Sequence, residues 1–208
     1  MPREARTVVP GAPHHVIQRG NRNQDVFFCP QDRSLYLEIL ADSADDYKVS
    51  FLSYCLMTNH VHLIAVPSDQ TSFANCFRNT HMRYSRHVNS RFGWNGHLWQ
   101  YRYRSNPMDD VYLYHALRYV ERNPVRAGIV SNPWDYPWSS AAFRVSKRAF
   151  DPLVEDDVYL EQVIGGDWRE YLQGKTAEEI LEELNSAARS NRVLGTPAAL
   201  TTVSKPQL

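Results

Sequence analysis

Apolar residues recur at two spacings along the first two thirds of this chain, and the switches between them predict its elements. His14-His15-Val16-Ile17-Gln18-Arg19 reads as a strand, closed by the turn-forming run Gly20-Asn21-Arg22-Asn23. Leu35, Ile39 and Leu40 fall at helical spacing within a segment from Gln31 to about Tyr47. Val49 to Met57 is strand-like, and the short Thr58-Asn59 link predicts a hairpin into Asn59-His60-Val61-His62-Leu63-Ile64-Ala65-Val66-Pro67. Phe73, Phe77, Thr80, Tyr84 and Val88 predict a second helix, ending near Gly93-Trp94-Asn95-Gly96. Leu98 to Ser105 alternates Trp99, Tyr101 and Tyr103 with Gln100, Arg102 and Arg104, as a half-buried strand does. A third helix is expected from Asp109-Asp110, which complement the positive end of its dipole, to just before Pro124.

The order strand, helix, strand, strand, helix, strand, helix predicts an α+β protein of the ferredoxin-like split βαβ type, with one antiparallel sheet and helices packed on a face. Beyond Gly128 comes a connector bearing Pro and Trp, from Asn132 to Trp138. Residues 1–143 form the expected main domain and 144–191 an acidic, partly helical extension. A helix in that extension opens with Thr176-Ala177-Glu178-Glu179, a capping-box pattern, and carries Ile180, Leu181 and Leu184. From about Arg192 onward Gly, Thr, Pro and Ala dominate, so 192–208 reads as a flexible tail. No internal repeat is evident.

A length of 208 residues suits one ordinary domain plus an extension, and 43% hydrophobic content supports a folded core. No apolar run is long enough to span a bilayer, and the N-terminus lacks the apolar stretch of a signal peptide. Cys29, Cys55 and Cys76 are an odd number without metal-type spacing, which suits reduced intracellular thiols and a cytoplasmic protein. The formal net charge of zero hides a segregation. Gln70 to Met108 contains no acid, yet carries Arg78, Arg83, Arg86, Arg91, Arg102 and Arg104 with aromatic residues between them. Guanidinium forks bind phosphate and aromatic faces stack on unpaired bases, so this mixture suits nucleic acid; a solvated basic face over an aromatic core is the other reading. From Asp151 to Ala188 the sign reverses, with only Arg169 and Lys175 among the acids. Such a segment keeps the protein soluble or shields the basic surface, and it could lie over the path of DNA as an autoinhibitory cover.

The most informative motif is His60-Val61-His62. Residues two apart on a strand stand on one face, so both imidazoles can meet one divalent cation while Val61, Leu63 and Ala65 turn the other way. Two ordinary strand histidines would give the same pattern. On the third helix Leu113, Ala116, Leu117 and Val120 make an apolar stripe, and Tyr112, Tyr119 and Asn123 fall on a neighbouring one. Tyr119 and Asn123 can thus face one site, although Pro124 disfavours helical geometry at Asn123. Tyrosines at a core edge are the plainer meaning of that stripe.

Taken together these residues resemble the REP-associated tyrosine transposases, within the IS200-like single-tyrosine (Y1) transposases of the HUH endonuclease superfamily. The resemblance covers about residues 8 to 143. It rests on His14-His15-Val16 with Arg19-Gly20-Asn21-Arg22, on Met57-Thr58-Asn59-His60-Val61-His62-Leu63, on Tyr119-Val120-Glu121-Arg122-Asn123-Pro124-Val125-Arg126-Ala127-Gly128, and on Trp138-Ser139-Ser140. It implies a ferredoxin-like domain that cuts and rejoins single-stranded DNA near hairpins with a divalent metal, Mg²⁺ or Mn²⁺. His60 and His62 match the metal ligands, Tyr119 the nucleophile, and Asn123 the polar residue that completes the metal site. Attack by Tyr119 would give a 5′-phosphotyrosine and a free 3′-hydroxyl, conserving the phosphodiester energy for rejoining without ATP. Arg19, Asn21 and Arg22 are expected to contact the hairpin or its flank, and Arg78, Arg83, Arg86, Arg102 and Arg104 to contact phosphates or pair with the acidic segment. The expected partner is single-stranded DNA with hairpins, met by a monomer or a homodimer, with no membrane role. Three alternatives stay open: a non-cutting hairpin-binding regulator on the same fold, a metal-dependent hydrolase in which Tyr119 is structural, and a basic RNA-binding module.

Overall fold

The computed structural model describes residues 7–187, 189–190 and 192–195. A four-stranded antiparallel sheet forms its centre, with strands β1 (His14–Arg19), β2 (Val49–Leu56), β3 (His60–Pro67) and β4 (Arg104–Pro107) in the order β2-β3-β1-β4. The helices α1 (Pro30–Tyr47) and α2 (Ser72–Phe92) cross over between strands, which is the expected split βαβ arrangement.

The helices occupy both faces of the sheet, where one face was expected. The reason is visible in β3. Val61, Leu63 and Ala65 enter the core under α1 and α2, while Ile64 and Val66 enter a second core on the other side. A strand with both residue sets apolar must be covered twice. The second cover is α3 (Asp110–Glu121), followed by the single turns α4 (Asn123–Arg126) and α5 (Ala141–Arg144) and by α6 (Val158–Ile164), α7 (Trp168–Gln173) and α8 (Glu178–Ala187). Leu160, Tyr171, Leu172 and Leu184 share this core with Leu113, Ala116 and Leu117 of α3, so the acidic extension is integral to it.

Local chemistry sets the helix limits. Asp109 caps α3 by accepting from the Tyr112 amide, and α2 ends at Gly93, whose φ of 65° suits a residue without Cβ. Asp32, buried in the first turn of α1, accepts from the amides of Phe28 and Cys29 and pairs with Arg91 at 2.6 Å, tying the start of α1 to the end of α2.

The fourth strand departs from expectation. It spans Arg104–Pro107 rather than 98–105. Tyr101 takes a positive φ of 54° and breaks the extended run, so Leu98, Trp99 and Tyr103 drop into the α1–α2 core as a loop. Arg102 therefore lies outside the strand. At the far end, Leu194 is buried and its amide donates to the Pro107 carbonyl, so the expected tail begins with a docked stretch. Residues 196–208 of that tail lie outside the described residues. No described helix is long and apolar enough to cross a membrane.

His14, on the α1–α2 side of β1, is fully buried and held at both ring nitrogens. Nδ1 donates to the Ala12 carbonyl at 2.8 Å, and Nε2 accepts from the Val9 amide at 3.1 Å. Burial lowers its pKa to about 4, against the bond to Ala12. The unfolded chain takes up this proton near pH 6.5 and the folded chain only near 4, so folding is progressively penalised as pH falls through that window. Chemical denaturation between pH 7 and 4 should show falling stability, and His14→Gln should remove about 3 kcal/mol of the pH dependence.

Candidate active site

Strand register places the histidines. On the α3 side of the sheet His60 stands opposite Arg19 and His62 opposite Ile17, with Arg104 beyond Ile17 on β4. His15, on the same face of β1, reaches across to His62, its Nε2 lying 2.9 Å from His62 Nδ1. The His60 and His62 rings are 4.9 Å apart, the juxtaposition expected of His-x-His on a strand. Tyr119 descends from α3 with its ring 5.7 Å from both His62 and His15.

The outward neighbours of the histidines decide what they can bind. Asn59 donates through Nδ2 to the Asn23 carbonyl, which fixes the amide so that Oδ1 accepts from His60 Nδ1 at 2.6 Å. The proton of His60 is thereby held on Nδ1, and Nε2 keeps its lone pair. His62 also spends Nδ1 on a neighbouring side chain, and no described residue bonds Nε2 of either ring. Burial, followed by nearby charge, lowers the His60 pKa to about 4 and that of His62 well below its usual value. With His62 Nδ1 donating to His15 Nε2, both neutral imidazoles present an Nε2 lone pair at the cavity wall, an arrangement suited to a divalent cation. Among the described residues no cluster of three or more His, Cys, Asp or Glu side chains could hold a metal ion. A third donor would therefore be of another kind; Asn123 lines the same cavity as the two histidines.

Asn123 does not swing outward. It is 8% exposed, with Nδ2 donating to the carbonyls of Tyr119 and Val120 and Oδ1 accepting from Arg126 at 2.8 Å. The same guanidinium lies 3.7 Å from the centroid of the Tyr119 ring. Arg126 thus touches both candidate functional groups of the α3–α4 corner. Sequence reasoning assigned it no role, although it follows Tyr119 by seven residues. The Tyr119 hydroxyl donates to Asn185 Oδ1 at 2.9 Å, so the acidic α8 lies against the candidate nucleophile. Nothing in the sequence pattern signals that contact.

Tyr119, Asn123, His60 and His62 line one cavity of about 1150 Å³. Arg19, Arg102, Arg104, Arg126, Arg189 and Arg192 line it too, and among the described residues its walls contain no Asp or Glu. Such a surface favours a polyanion. Of the arginines expected to contact DNA, Arg19, Arg102 and Arg104 are brought to the cavity. Asn21 and Arg22 sit in the adjoining turn, where Asn23 reaches the wall. Arg78, Arg83 and Arg86 are not brought there: they lie on α2, across the sheet, and Arg83 pairs with Asp42 at 3.0 Å. Arg189 and Arg192, from beyond α8, were not anticipated, because the surrounding composition reads as acidic extension and tail.

The corner carrying Tyr119 is anchored by Glu121, which is fully buried. Its Oε1 accepts from Ser53 of β2 and from Ser140, at 3.1 and 2.6 Å, and its Oε2 accepts from Trp168 Nε1 at 2.9 Å. Burial raises its pKa, opposed by the bonds from Ser140 and Trp168.

The chain belongs to the IS200-like transposase family, whose profile matches residues 9–123. A solved structure described as a REP-associated tyrosine transposase bound to a REP hairpin superposes with a TM-score of 0.59 at 18% identity, covering 76% of this chain and 93% of that one. A candidate transposase from Deinococcus radiodurans R1 gives a TM-score of 0.40 at 20% identity, covering 58% of this chain and 96% of that one. No curated protein matches the chain.

Glu121→Leu would leave Trp168 Nε1 without its acceptor and turn the Ser53 and Ser140 hydroxyls onto each other and the Tyr54 carbonyl. It should cost about 3 kcal/mol, a fall of about 10 °C in the melting midpoint, with Glu121→Gln losing less. Calorimetry of the three proteins checks this.

Proposed function

We propose that this chain is a single-stranded DNA endonuclease and strand transferase of the REP-associated tyrosine type, acting beside DNA hairpins. The observation that carries the reading is the meeting of Tyr119 with the His60–His62 pair inside a cavity walled by arginines, with no carboxylate among its described lining residues. Membership of the IS200-like family supports the reading, as does the fold shared with a transposase described as bound to a REP hairpin.

The chain's own residues account for each part of the reaction. Arginines around the cavity draw in the phosphodiester and hold it in register. The Tyr119 oxygen attacks phosphorus in line, the bond to the 3′-oxygen breaks, and the leaving oxygen takes up a proton as a 3′-hydroxyl. The product is a 5′-phosphotyrosine on Tyr119. Attack on it by that hydroxyl, or by one from another strand, restores a phosphodiester and frees the tyrosine. Arg126, against the Tyr119 ring, is placed to stabilise the anionic transition state. A divalent ion, Mg²⁺ or Mn²⁺, on His60, His62 and Asn123 would supply charge neutralisation at a non-bridging phosphate oxygen. For Asn123 to join that set, its Oδ1 must be shared with or released by Arg126.

In the resting arrangement the Tyr119 hydroxyl is held by Asn185. The acidic helix therefore acts as a cover that must yield before attack. Truncation after Arg144 is a poor test, since Leu160, Leu172 and Leu184 belong to the core. Asn185→Ala is the milder one. It should raise the rate of adduct formation about threefold to tenfold, the worth of a single hydrogen bond.

The decisive experiment is incubation with labelled hairpin oligonucleotides in Mg²⁺ or Mn²⁺, then denaturing electrophoresis. A covalent protein–DNA band is expected, abolished in Tyr119→Phe and lost with His60→Ala or EDTA. Tight hairpin binding with no such band across a broad set of sequences would favour the non-cutting regulator. Cleavage that survives Tyr119→Phe would favour the hydrolase.

A further inference from the structure

We propose that Tyr101 is the stacking platform for an unpaired nucleobase of the DNA strand that enters the His60–Tyr119 cavity, a subsite distinct from the groups that would act on the phosphodiester. This inference rests on the DNA-processing reading above and extends it to how the strand is held.

Tyr101 faces outward at the bend that sends Trp99 and Tyr103 into the core. Tyr101 has a φ of 54°, a left-handed conformation that disfavours a side chain bearing Cβ. The residue is 78% exposed, and no described residue stacks on its ring or bonds its hydroxyl. Its neighbours behave in the opposite way. Trp99 and Tyr103 are buried in the core on either side, packed against Tyr36, Tyr84, Phe73 and Phe77.

The backbone of the loop is also fixed from below. Gln18 of β1 is 3% exposed, and its Nε2 donates to the carbonyls of Gln100 at 3.2 Å and Tyr101 at 3.4 Å. The Gln100 amide donates in turn to the Arg19 carbonyl at 2.8 Å. A buried amide is thus committed to holding a strained loop whose one aromatic ring faces outward. Rigid presentation of a ring is what stacking requires, because little side-chain entropy is then lost on contact.

The surroundings select the occupant. Tyr101 lines the same cavity as His60 and Tyr119, beside the exposed Arg102 and with Arg19 and Arg104 nearby on the wall. A wall of guanidinium groups without a carboxylate suits a phosphate backbone, and a free aromatic face among them suits the base attached to it. An acidic peptide would satisfy the arginines but leave the ring unused, whereas a paired duplex keeps its bases stacked internally. A single-stranded flank offers both groups together.

The test is binding, measured in Tyr119→Phe protein so that no strand is cut. Two fluorescein-labelled DNA hairpins are compared by anisotropy, one with a short single-stranded flank and one trimmed flush. Tyr101→Ala should weaken binding of the flanked hairpin about 5- to 150-fold, leave the flush hairpin unchanged, and be rescued by Tyr101→Phe, which keeps the ring. Photocrosslinking with 5-iododeoxyuridine stepped along the flank should place one position on the tryptic peptide that contains Tyr101. Equal affinity of Tyr101→Ala for the flanked hairpin, or an equal loss for both hairpins, would overturn the subsite while leaving the enzyme reading intact. Failure of the unsubstituted Tyr101 protein to bind either hairpin would overturn both.

Discussion

The buried carboxylate of Glu121 is the constraint on which the geometry of the site depends. It sits at the last turn of α3, between the residue that carries the candidate nucleophile and the corner that carries Asn123. Through Ser53 it is tied to the sheet, through Ser140 to the segment that runs along β2, and through Trp168 to α7. A buried carboxylate is costly unless it is fully bonded, so each of those elements must be in place for the others to be tolerated. The histidines are fixed by strand pairing, a separate device. Glu121 brings the tyrosine to the histidines by joining the helix to the same sheet.

Around that frame, charge is organised by exclusion. The cavity collects arginines from β1, the Tyr101 loop, β4, α4 and the segment after α8, and its described lining holds no acid. The histidines within it stay neutral because burial and these cations both oppose a further positive charge. Neutral imidazoles are the form in which nitrogen lone pairs are available, so the electrostatics that attract an anion also keep the donors ready.

Much of this was legible in the sequence, and the misses have definite causes. The shared face of His60 and His62 was legible from their spacing of two, because successive side chains alternate faces on any strand. Helical spacing put Tyr119 and Asn123 on one stripe, and both line the cavity; Pro124 does not turn Asn123 outward, because its side chain is held by the Tyr119 and Val120 carbonyls. The fourth strand was misplaced because Trp99, Tyr101 and Tyr103 alternate in sequence as a strand would, while the positive φ of Tyr101 leaves no compositional trace. Arg78, Arg83 and Arg86 were grouped with the site on charge alone, and charge does not reveal on which side of a sheet a helix packs. Asn185, Arg189 and Arg192 reach the site by tertiary packing, for which the sequence holds no periodic signal.

The sheet has two outer strands, β2 and β4, and the chain deals with both by means of later segments. Beside β2, the Leu56 amide bonds the Trp138 carbonyl and the Ser140 amide bonds the Tyr54 carbonyl. Beside β4, Leu194 bridges Met108, and the Asn106 side chain bonds the carbonyls of Ser190 and Arg192. Exposed strand edges are templates for pairing with other molecules, and here the closures arrive only after every strand has been made. During synthesis the sheet-forming half therefore passes through a stage with open edges and an uncovered apolar face, vulnerable to aggregation. Shortened forms of this chain should inherit that hazard permanently, so the helical extension acts as an internal guardian of solubility as well as a wall of the cavity.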